Sequence, residues 1–267
     1  MIRAITIGQY YPAKSPIHRM DPRTKLFGTL IFIISVFLFH SVAGYAVATL
    51  FLAGMIIISQ VPVKFIFKGL KAIFMILMIT MVFNILLTPG EVLWKIGIFK
   101  ITREGISMAV RMAIRLVYLV IGSSLMTLTT TPNQLTDGLE KSLRPLNKIH
   151  IPVHEIAMMM SIALRFIPIL LEETDKIMKA QIARGADFES GNLIQKVKNM
   201  VPLLVPLFIS AFRRANDLAM AMEARCYHGG DNRTQMKPLH YTRRDHIAYV
   251  VLFVYLAVAI GFRVMGW

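Results

Sequence analysis

Long runs without charge occur along the sequence, and their lengths predict helices that cross a membrane. The first run covers residues 26–63, which are 38 positions without Asp, Glu, Lys or Arg. A spanning helix needs roughly 20 residues, so this run predicts two spans joined by a tight turn. The turn falls near His40 and Ser41, with Gly44 just beyond it.

Three further uncharged runs bring the expected number of spans to about five. They cover residues 72–90, 116–136 and 247–262. Lys64, Lys68 and Lys71 lead into the first of these runs at helical spacing, as expected of cations at a membrane surface. Trp267, just after the last run, suits an interfacial anchor.

Residues 131–245 have a different pattern, in which charged residues alternate with apolar residues at helical spacing. Thr131 and Pro132 predict the start of a first helix, which Pro145 ends or kinks. Pro152 opens a second helix over residues 154–184, which Pro168 should kink and Gly185 can end in a left-handed conformation.

A third helix is expected over residues 202–227. Pro206 suits an entry turn or a kink, and Gly229 with Gly230 is expected to end the helix. When the chain is shifted by 41 positions, the ends of the second and third helices align, and Ala183-Arg184 coincides with Ala224-Arg225.

Composition and charge agree with a membrane protein. The chain of 267 residues is 55% hydrophobic and has a formal net charge of +15. A basic nucleic-acid-binding protein does not need such long uncharged runs, so this class is excluded. Cys226 is the single cysteine, which excludes an intrachain disulfide and a multi-cysteine metal site.

The distribution of charge predicts the orientation of the spans. Basic residues dominate before the first span and between the second and third, which places the N-terminus inside. Residues 131–245 hold 12 of the 15 acidic residues and are then cytoplasmic. We therefore expect an all-α integral membrane protein with a membrane domain over 1–130, a cytoplasmic domain over 131–245 and a C-terminal transmembrane helix over 246–267.

Two pairs of arginines raise different questions. Arg111 and Arg115 lie one turn apart beside the fourth span, either reaching the interface or making a polar contact inside the bundle. Arg184 and Arg225 lie at helix ends, where the helix dipole favours a cation. Because both follow alanine in matching frames, they also suit two docking points whose guanidinium groups bind carboxylates or carbonyls of a partner.

Enzymatic motifs are missing from the sequence. His154-Glu155 lacks the second histidine of an intramembrane metalloprotease, and no paired metal-ligand spacing occurs. No glycine-rich ATP-binding loop ending in Gly-Lys-Ser/Thr is present, so an energy source would lie on another subunit. A self-contained carrier or channel remains an alternative, with a membrane enzyme less favoured.

The chain resembles the transmembrane coupling (T) component of energy-coupling factor transporters, which are ABC-type importers of vitamins and transition-metal ions. The resemblance covers essentially the whole chain. It rests on the MDPRTKL stretch, the hydrophobic N-terminal half, the long helical segment and the Ala-Arg-Gly motifs at two helix ends. Asp21, Pro22, Arg23 and Lys25 match a family signature, and the residues themselves predict an N-cap followed by proline at the first helical position.

This resemblance implies a non-catalytic subunit in the bacterial cell membrane whose partners are two ABC-type ATPases and a small membrane substrate-binding (S) subunit. ATP and Mg would bind on the ATPases, with no cofactor on this chain. The residues implied to dock in the ATPase grooves are Ala183, Arg184, Gly185, Ala224 and Arg225. Cys226 stands where the family usually has glycine, and Gly229 is expected to supply the left-handed cap instead.

Overall fold

The computed structural model describes residues 10–39, 41–96, 99–188, 192–229, 236 and 238–264. These residues form long helices and a single hairpin, which confirms the expected all-α class. The elements are α1 (Pro22–Leu38), α2 (Val42–Ser59), α3 (Val63–Leu87), β1 (Val92–Ile96), β2 (Phe99–Thr102), α4 (Arg103–Thr129), α5 (Pro132–Leu143), a 3₁₀ turn (Arg144–Ile149), α6 (Val153–Ala183), α7 (Leu193–Ala224) and α8 (Arg243–Val264).

The helices begin where the sequence places capping residues. Asp21 accepts the N–H of Arg23 at 2.9 Å and caps α1, and Ser41 caps α2 in the same way. Thr131 and Gln134 form a reciprocal capping box at α5, with side chain to backbone distances of 3.3 and 3.2 Å. The predicted turn at His40 lies partly outside the described residues, but its two flanking helices are confirmed.

Among the described residues, four helices are long and apolar enough to cross a membrane. They are α2, α4, α6 and α8, and α3 is a fifth if its segments Val63–Lys71 and Ile73–Leu87 form one span. The prediction of about five spans is therefore confirmed in number. The set of helices differs from the prediction. α6 is long and apolar enough to be included, whereas α1, with 17 residues, is shorter than the 18 residues required.

The chain divides into two compact units. The bundle unit consists of Ile7–Leu139 with Leu239–Trp267, and the two-helix unit contains the segment Glu140–Pro238. The core of the bundle unit joins α1, α2 and α8, and its buried residues are Phe32, Val36, Phe39, Tyr45, Ala48, Leu52, Tyr255 and Ala259. Phe51 stacks on Tyr255 with ring centroids 4.3 Å apart, which fixes α2 against α8.

A hairpin between α3 and α4 was not predicted. β1 pairs antiparallel with β2, and Thr102 then caps α4 by accepting the N–H of Gly105 at 3.1 Å. The hydroxyl of Thr102 also donates to the carbonyl of Thr88 at 2.8 Å, which ties the base of the hairpin to the end of α3.

The third long helix starts earlier than expected, which corrects the prediction. α7 begins at Leu193, so Pro202 and Pro206 lie inside it rather than at its entry. Proline at 206 has no N–H for the carbonyl of Pro202, four residues earlier. Gln181 of α6 donates its side-chain N–H to that carbonyl at 3.3 Å, so a contact from the neighbouring helix satisfies the free acceptor.

Candidate functional site: two arginine-bearing helix ends

The C-terminal end of α6 is a Schellman motif centred on Arg184. The N–H of Ala186 donates to the carbonyl of Gln181, and the N–H of Gly185 to that of Ile182, both at 2.9 Å. Gly185 takes a left-handed conformation with φ of +88°, as the sequence predicted. The chain turns away directly after Arg184, which leaves the guanidinium group at the tip of the helix.

The end of α7 repeats this bonding pattern with a different residue at the turn. Tyr227 N–H donates to Met222 at 3.0 Å, and Cys226 N–H donates to Glu223 at 2.8 Å. Cys226 itself takes the left-handed conformation with φ of +55°. The expectation that Gly229 and Gly230 end the helix is therefore wrong: Gly229 lies after the cap, and Gly230 is outside the described residues.

The predicted docking residues present their side chains to the surface of the two-helix unit. Exposed positions at the two ends are Ala183, Arg184, Gly185, Ala224 and Arg225. Among the residues that the structure describes, neither Arg184 nor Arg225 has a side-chain hydrogen bond or an ion pair. Both guanidinium groups are therefore available to an acceptor on another molecule.

Contacts between α6 and α7 place the two arginines at opposite ends of the pair. Gln181 near the end of α6 reaches Pro202 in the first third of α7. Met158 near the start of α6 lines a cavity of about 430 Å³ together with Met222 and Arg225 at the end of α7. The helices therefore run in opposite directions, and Arg225 lies about 40 Å from Arg184, taking 1.5 Å for each residue of α6.

An ion pair joins the middle of the two helices. Arg214 of α7 donates to the carboxylate of Glu173 of α6 at 3.2 Å, and both side chains are partly shielded from solvent. The two residues are 41 positions apart, which is also the spacing between Arg184 and Arg225. Together with the Gln181 contact, this pair fixes the position of α6 along α7.

The family signature at the start of α1 forms a polar cluster in the bundle unit. Arg23 binds the carboxylate of Asp21 through Nε at 3.0 Å and through a terminal nitrogen at 2.9 Å. The guanidinium group also lies 4.0 Å from the ring centroid of Tyr241. Pro22 occupies the first helical position, as predicted.

A buried carboxylate of α8 extends this polar cluster. Asp245 is fully buried and accepts the backbone N–H of Asp21 at 2.8 Å, 224 positions away in sequence. Its second oxygen accepts the N–H and the hydroxyl of Thr242 at 2.8 and 2.7 Å. The cluster thus holds the start of α1 against the start of α8.

Lys25 connects the same region to α4. Its buried ammonium group donates to the carbonyl of Thr129 at 2.8 Å and to that of His18 at 3.3 Å.

The pKa of His18 is lower than its usual value. Burial of the ring lowers the pKa more than the hydrogen bond to the Tyr11 carbonyl raises it, and the nearby charge of Lys25 lowers it further. His18 is therefore neutral at pH 7.

Known proteins resemble this chain over its whole length. Residues 13–236 match the family described as "CbiQ: Cobalt transport protein". The chain belongs to this family. A relative from Clostridium kluyveri named "Energy-coupling factor transporter transmembrane protein EcfT" is 57% identical, covering 99% of this chain and 98% of the relative. A Bacillus subtilis protein of the same name is 49% identical, covering 98% and 100%.

These relatives confirm that the chain is a transmembrane component of an energy-coupling factor transporter. A third relative of that name, from Ruminiclostridium cellulolyticum, is 55% identical over 96% of both chains. The transporter names and the apolar helices together indicate a multi-pass protein of the cell membrane. The names describe a transport component rather than an enzyme.

The two arginines of α4 make different contacts in this transporter component. Arg115 donates to the carbonyl of Phe39 and to the hydroxyl of Tyr45, both at 3.4 Å, and so contacts the end of α1 and the start of α2. Arg111 is exposed and bonds only Ser107 of its own helix within the described part of the chain. Of the two readings left open, the polar contact inside the bundle applies to Arg115.

Sequence reasoning missed Asp245 and Tyr241 of this family member. The sequence predicts Asp245 only as the end of the cytoplasmic domain over 131–245, although it is the last acidic residue before an apolar run of 16 residues at 247–262. A lone carboxylate in the first turn of a membrane helix is costly unless it is bonded. This position was the available signal. The partner of Asp245, the backbone N–H of Asp21, is 224 positions away and could not be predicted from residue spacing.

Proposed function

We propose that this chain couples two cytoplasmic ABC-type ATPase subunits to a small membrane substrate-binding subunit in an importer of vitamins or metal ions. The observation that carries the proposal is the pair of identically capped helix ends, each with an exposed arginine directly before a left-handed residue. Two equivalent ends suit two equivalent ATPase subunits. ATP and Mg bind on those subunits, and this chain takes no part in hydrolysis.

The chemistry of the two ends fits docking into a groove. Arginine presents a rigid fork of donors that matches carboxylates and carbonyl oxygens. Alanine before each arginine adds little bulk, so that the helix tip can approach a partner closely. A hydrogen bond to a charged group contributes about 1.5–3 kcal/mol, and an acceptor in a groove shielded from water makes this contribution large.

The proposed topology places these ends on the ATPase side. Positive charge before the first span puts the N-terminus in the cytoplasm. With α1, α2, α3 and α4 taken as four spans and α6 as cytoplasmic, the segment with α6 and α7 lies on the same side. The C-terminus then lies outside. A chain with the opposite orientation could not present Arg184 and Arg225 to cytoplasmic subunits.

Motion of the ATPases would travel along the paired helices. When ATP binding closes the ATPase dimer, its two grooves move and the seated arginines move with them. The Glu173–Arg214 ion pair and the Gln181–Pro202 contact make α6 and α7 respond together. The chain connects the start of α6 and the end of α7 to the bundle unit, and a shift passed on through these connections would tilt or release the substrate-binding subunit.

Exposed apolar side chains supply a surface for the small hydrophobic subunit. Leu204, Phe208 and Phe212 recur at helical spacing along α7 and are about half exposed or more. Contiguous apolar patches of this kind typically mark protein or membrane contacts. The cytoplasmic face of a membrane-embedded substrate-binding subunit would cover them.

The test is a double variant, Arg184→Ala with Arg225→Ala, produced with its ATPase and substrate-binding partners. We expect loss of ATPase co-purification and of ATP-driven uptake, while the unfolding temperature stays unchanged. The matched control is Lys179→Ala with Arg213→Ala, which removes two exposed cations from the same helices and should leave assembly intact. Full assembly and uptake in the arginine double variant contradicts the proposal, and uptake by the chain without ATPases supports a self-contained carrier.

A further inference from the structure

The bundle unit contains a cavity that the docking function does not use. It has a volume of about 340 Å³ and lies between α1, α2, α4 and α8, next to the segment before α1. Cavities of this size are in the range that binds small ligands. Ile58, Ile247 and Val251 line it and are about half exposed or more, so the cavity opens between α2 and α8 toward the surroundings of the bundle.

The lining changes from polar to apolar along the helices. Thr24 and Lys25 in the first turn of α1, Thr129 at the end of α4 and Arg244 in the first turn of α8 contribute its polar groups. Phe32, Gly122 and Leu252 line it further from these helix ends. The polar groups thus lie where the spans meet water, and the apolar wall lies at membrane depth.

Glycine keeps the cavity in its present shape. An added Cβ at Gly122 would come within 2.8 Å of the ring of Phe32, and one at Gly28 within 3.2 Å of Leu252. Phe32 and Leu252 would then have to move, and both line the cavity. A larger side chain at either glycine would therefore change the wall.

Lys25 adds a buried positive charge to the polar end, where the carboxylates of Asp21 and Asp245 interact with it from beyond 4.0 Å. Its side chain is more than nine-tenths buried, and its ammonium group bonds two carbonyl oxygens, which leaves one of its three N–H donors. Among the described residues, no carboxylate lies within 4.0 Å of it. An anion within hydrogen-bond distance would accept the remaining N–H and bring an opposite charge closer than these carboxylates do.

We propose that this cavity holds an acyl chain of an anionic phospholipid, whose phosphate lies at Lys25 and Arg244. The apolar wall matches the chain, and the two cations match the headgroup. Basic pockets between transmembrane helices are a recognised way to bind anionic lipid headgroups. The lipid would fill the space between α1, α2, α4 and α8 and give Lys25 a directly bonded anion.

The first test needs no substitution. The full-length chain is purified in detergent, stripped of lipid, and mixed separately with dioleoyl phosphatidylglycerol and dioleoyl phosphatidylcholine. Native mass spectrometry then measures how much of each lipid stays bound. We expect about tenfold preferential retention of the anionic lipid, corresponding to one charge-assisted contact. Equal retention of the two lipids, or retention of neither, overturns the proposal.

Paired variants then locate the site. Arg244→Gln should remove most of the preference for the anionic lipid, whereas Arg243→Gln, which removes the neighbouring exposed arginine outside the cavity lining, should keep it. Ala248→Leu fills the cavity and should reduce retention of both lipids, while Ala257→Leu on an exposed part of α8 should not. Equal behaviour within both pairs places the lipid elsewhere and contradicts the site.

Discussion

The bundle unit and the two-helix unit use arginine in opposite ways. Arg23 lies at the start of α1, paired with Asp21 through two nitrogens and stacked on Tyr241. Arg184 and Arg225 lie at the ends of α6 and α7, exposed and unpaired among the described residues. Both kinds sit at helix termini, so the sequence gives them a similar appearance.

The difference separates structural charge from charge that serves a partner. Arg23 has its acceptors inside the chain, and its removal should weaken the fold. Arg184 and Arg225 have theirs, by our proposal, on other subunits, and their removal should weaken assembly. Two experiments compare these two roles by measuring the free energy of unfolding. A third compares the two helix ends by measuring local order.

The largest effect is expected at Asp245. Substitution with alanine leaves the buried N–H of Asp21 without an acceptor and removes the partner of Thr242. We expect the free energy of unfolding to fall by about 3 kcal/mol. Denaturant unfolding in detergent micelles measures this. Asp217→Ala, which removes an exposed carboxylate of α7, is the control. A change at Asp245 no larger than at Asp217 would show that the polar cluster contributes little.

A middle-sized effect is expected at Arg23. Arg23→Ala loses the two-nitrogen pairing with Asp21 and the contact with Tyr241, so we expect a loss of about 2 kcal/mol. Arg184→Ala should change stability by less than about 0.5 kcal/mol, as an exposed position does. Equal destabilisation by both would remove the distinction between structural and partner-facing arginines.

The smallest effect compares the two helix ends themselves. Cys226→Gly relieves a left-handed conformation that a side chain disfavours, which should stabilise the end of α7 by about 1 kcal/mol. Gly185→Ala should weaken the end of α6 by a similar amount, since space is open there and only the backbone conformation opposes it. Hydrogen exchange of the Tyr227 and Ala186 amides reports each change, slower at 227 and faster at 186. Faster exchange at 227 in Cys226→Gly, or slower exchange at 186 in Gly185→Ala, would show that the two left-handed turns are not equivalent.

Rules that act over a few neighbouring residues predicted much of the fold. They failed at proline and at contacts between residues far apart in sequence. Asp21 with Pro22, Thr131 with Pro132, and Gly185 each act within a few residues, and each predicted the helix boundary that was found. The prediction of a helix start at Pro202 is wrong. Pro206 leaves the carbonyl of Pro202 without its helical donor, and Gln181 of another helix bonds that carbonyl instead, which no local rule reveals.

The candidate site was readable in part for the same reason. The matching Ala-Arg pairs were visible as a repeat, but the cap formed by Cys226 was not, because cysteine has no particular preference for the left-handed conformation. The contacts of Asp245 and Tyr241 could not be predicted without knowing which helices pack together. The hairpin after α3 was hidden because mixed charge gives no period that distinguishes a strand from a loop.

Cys226 also makes the difference between the two helix ends measurable. It is the sole cysteine of the sequence and is exposed directly after Arg225. A thiol-reactive fluorophore would therefore label the end of α7 without any engineered substitution and would leave the end of α6 unlabelled. Changes in its emission during nucleotide turnover would follow one of the two ends separately from the other, in a chain with its natural sequence.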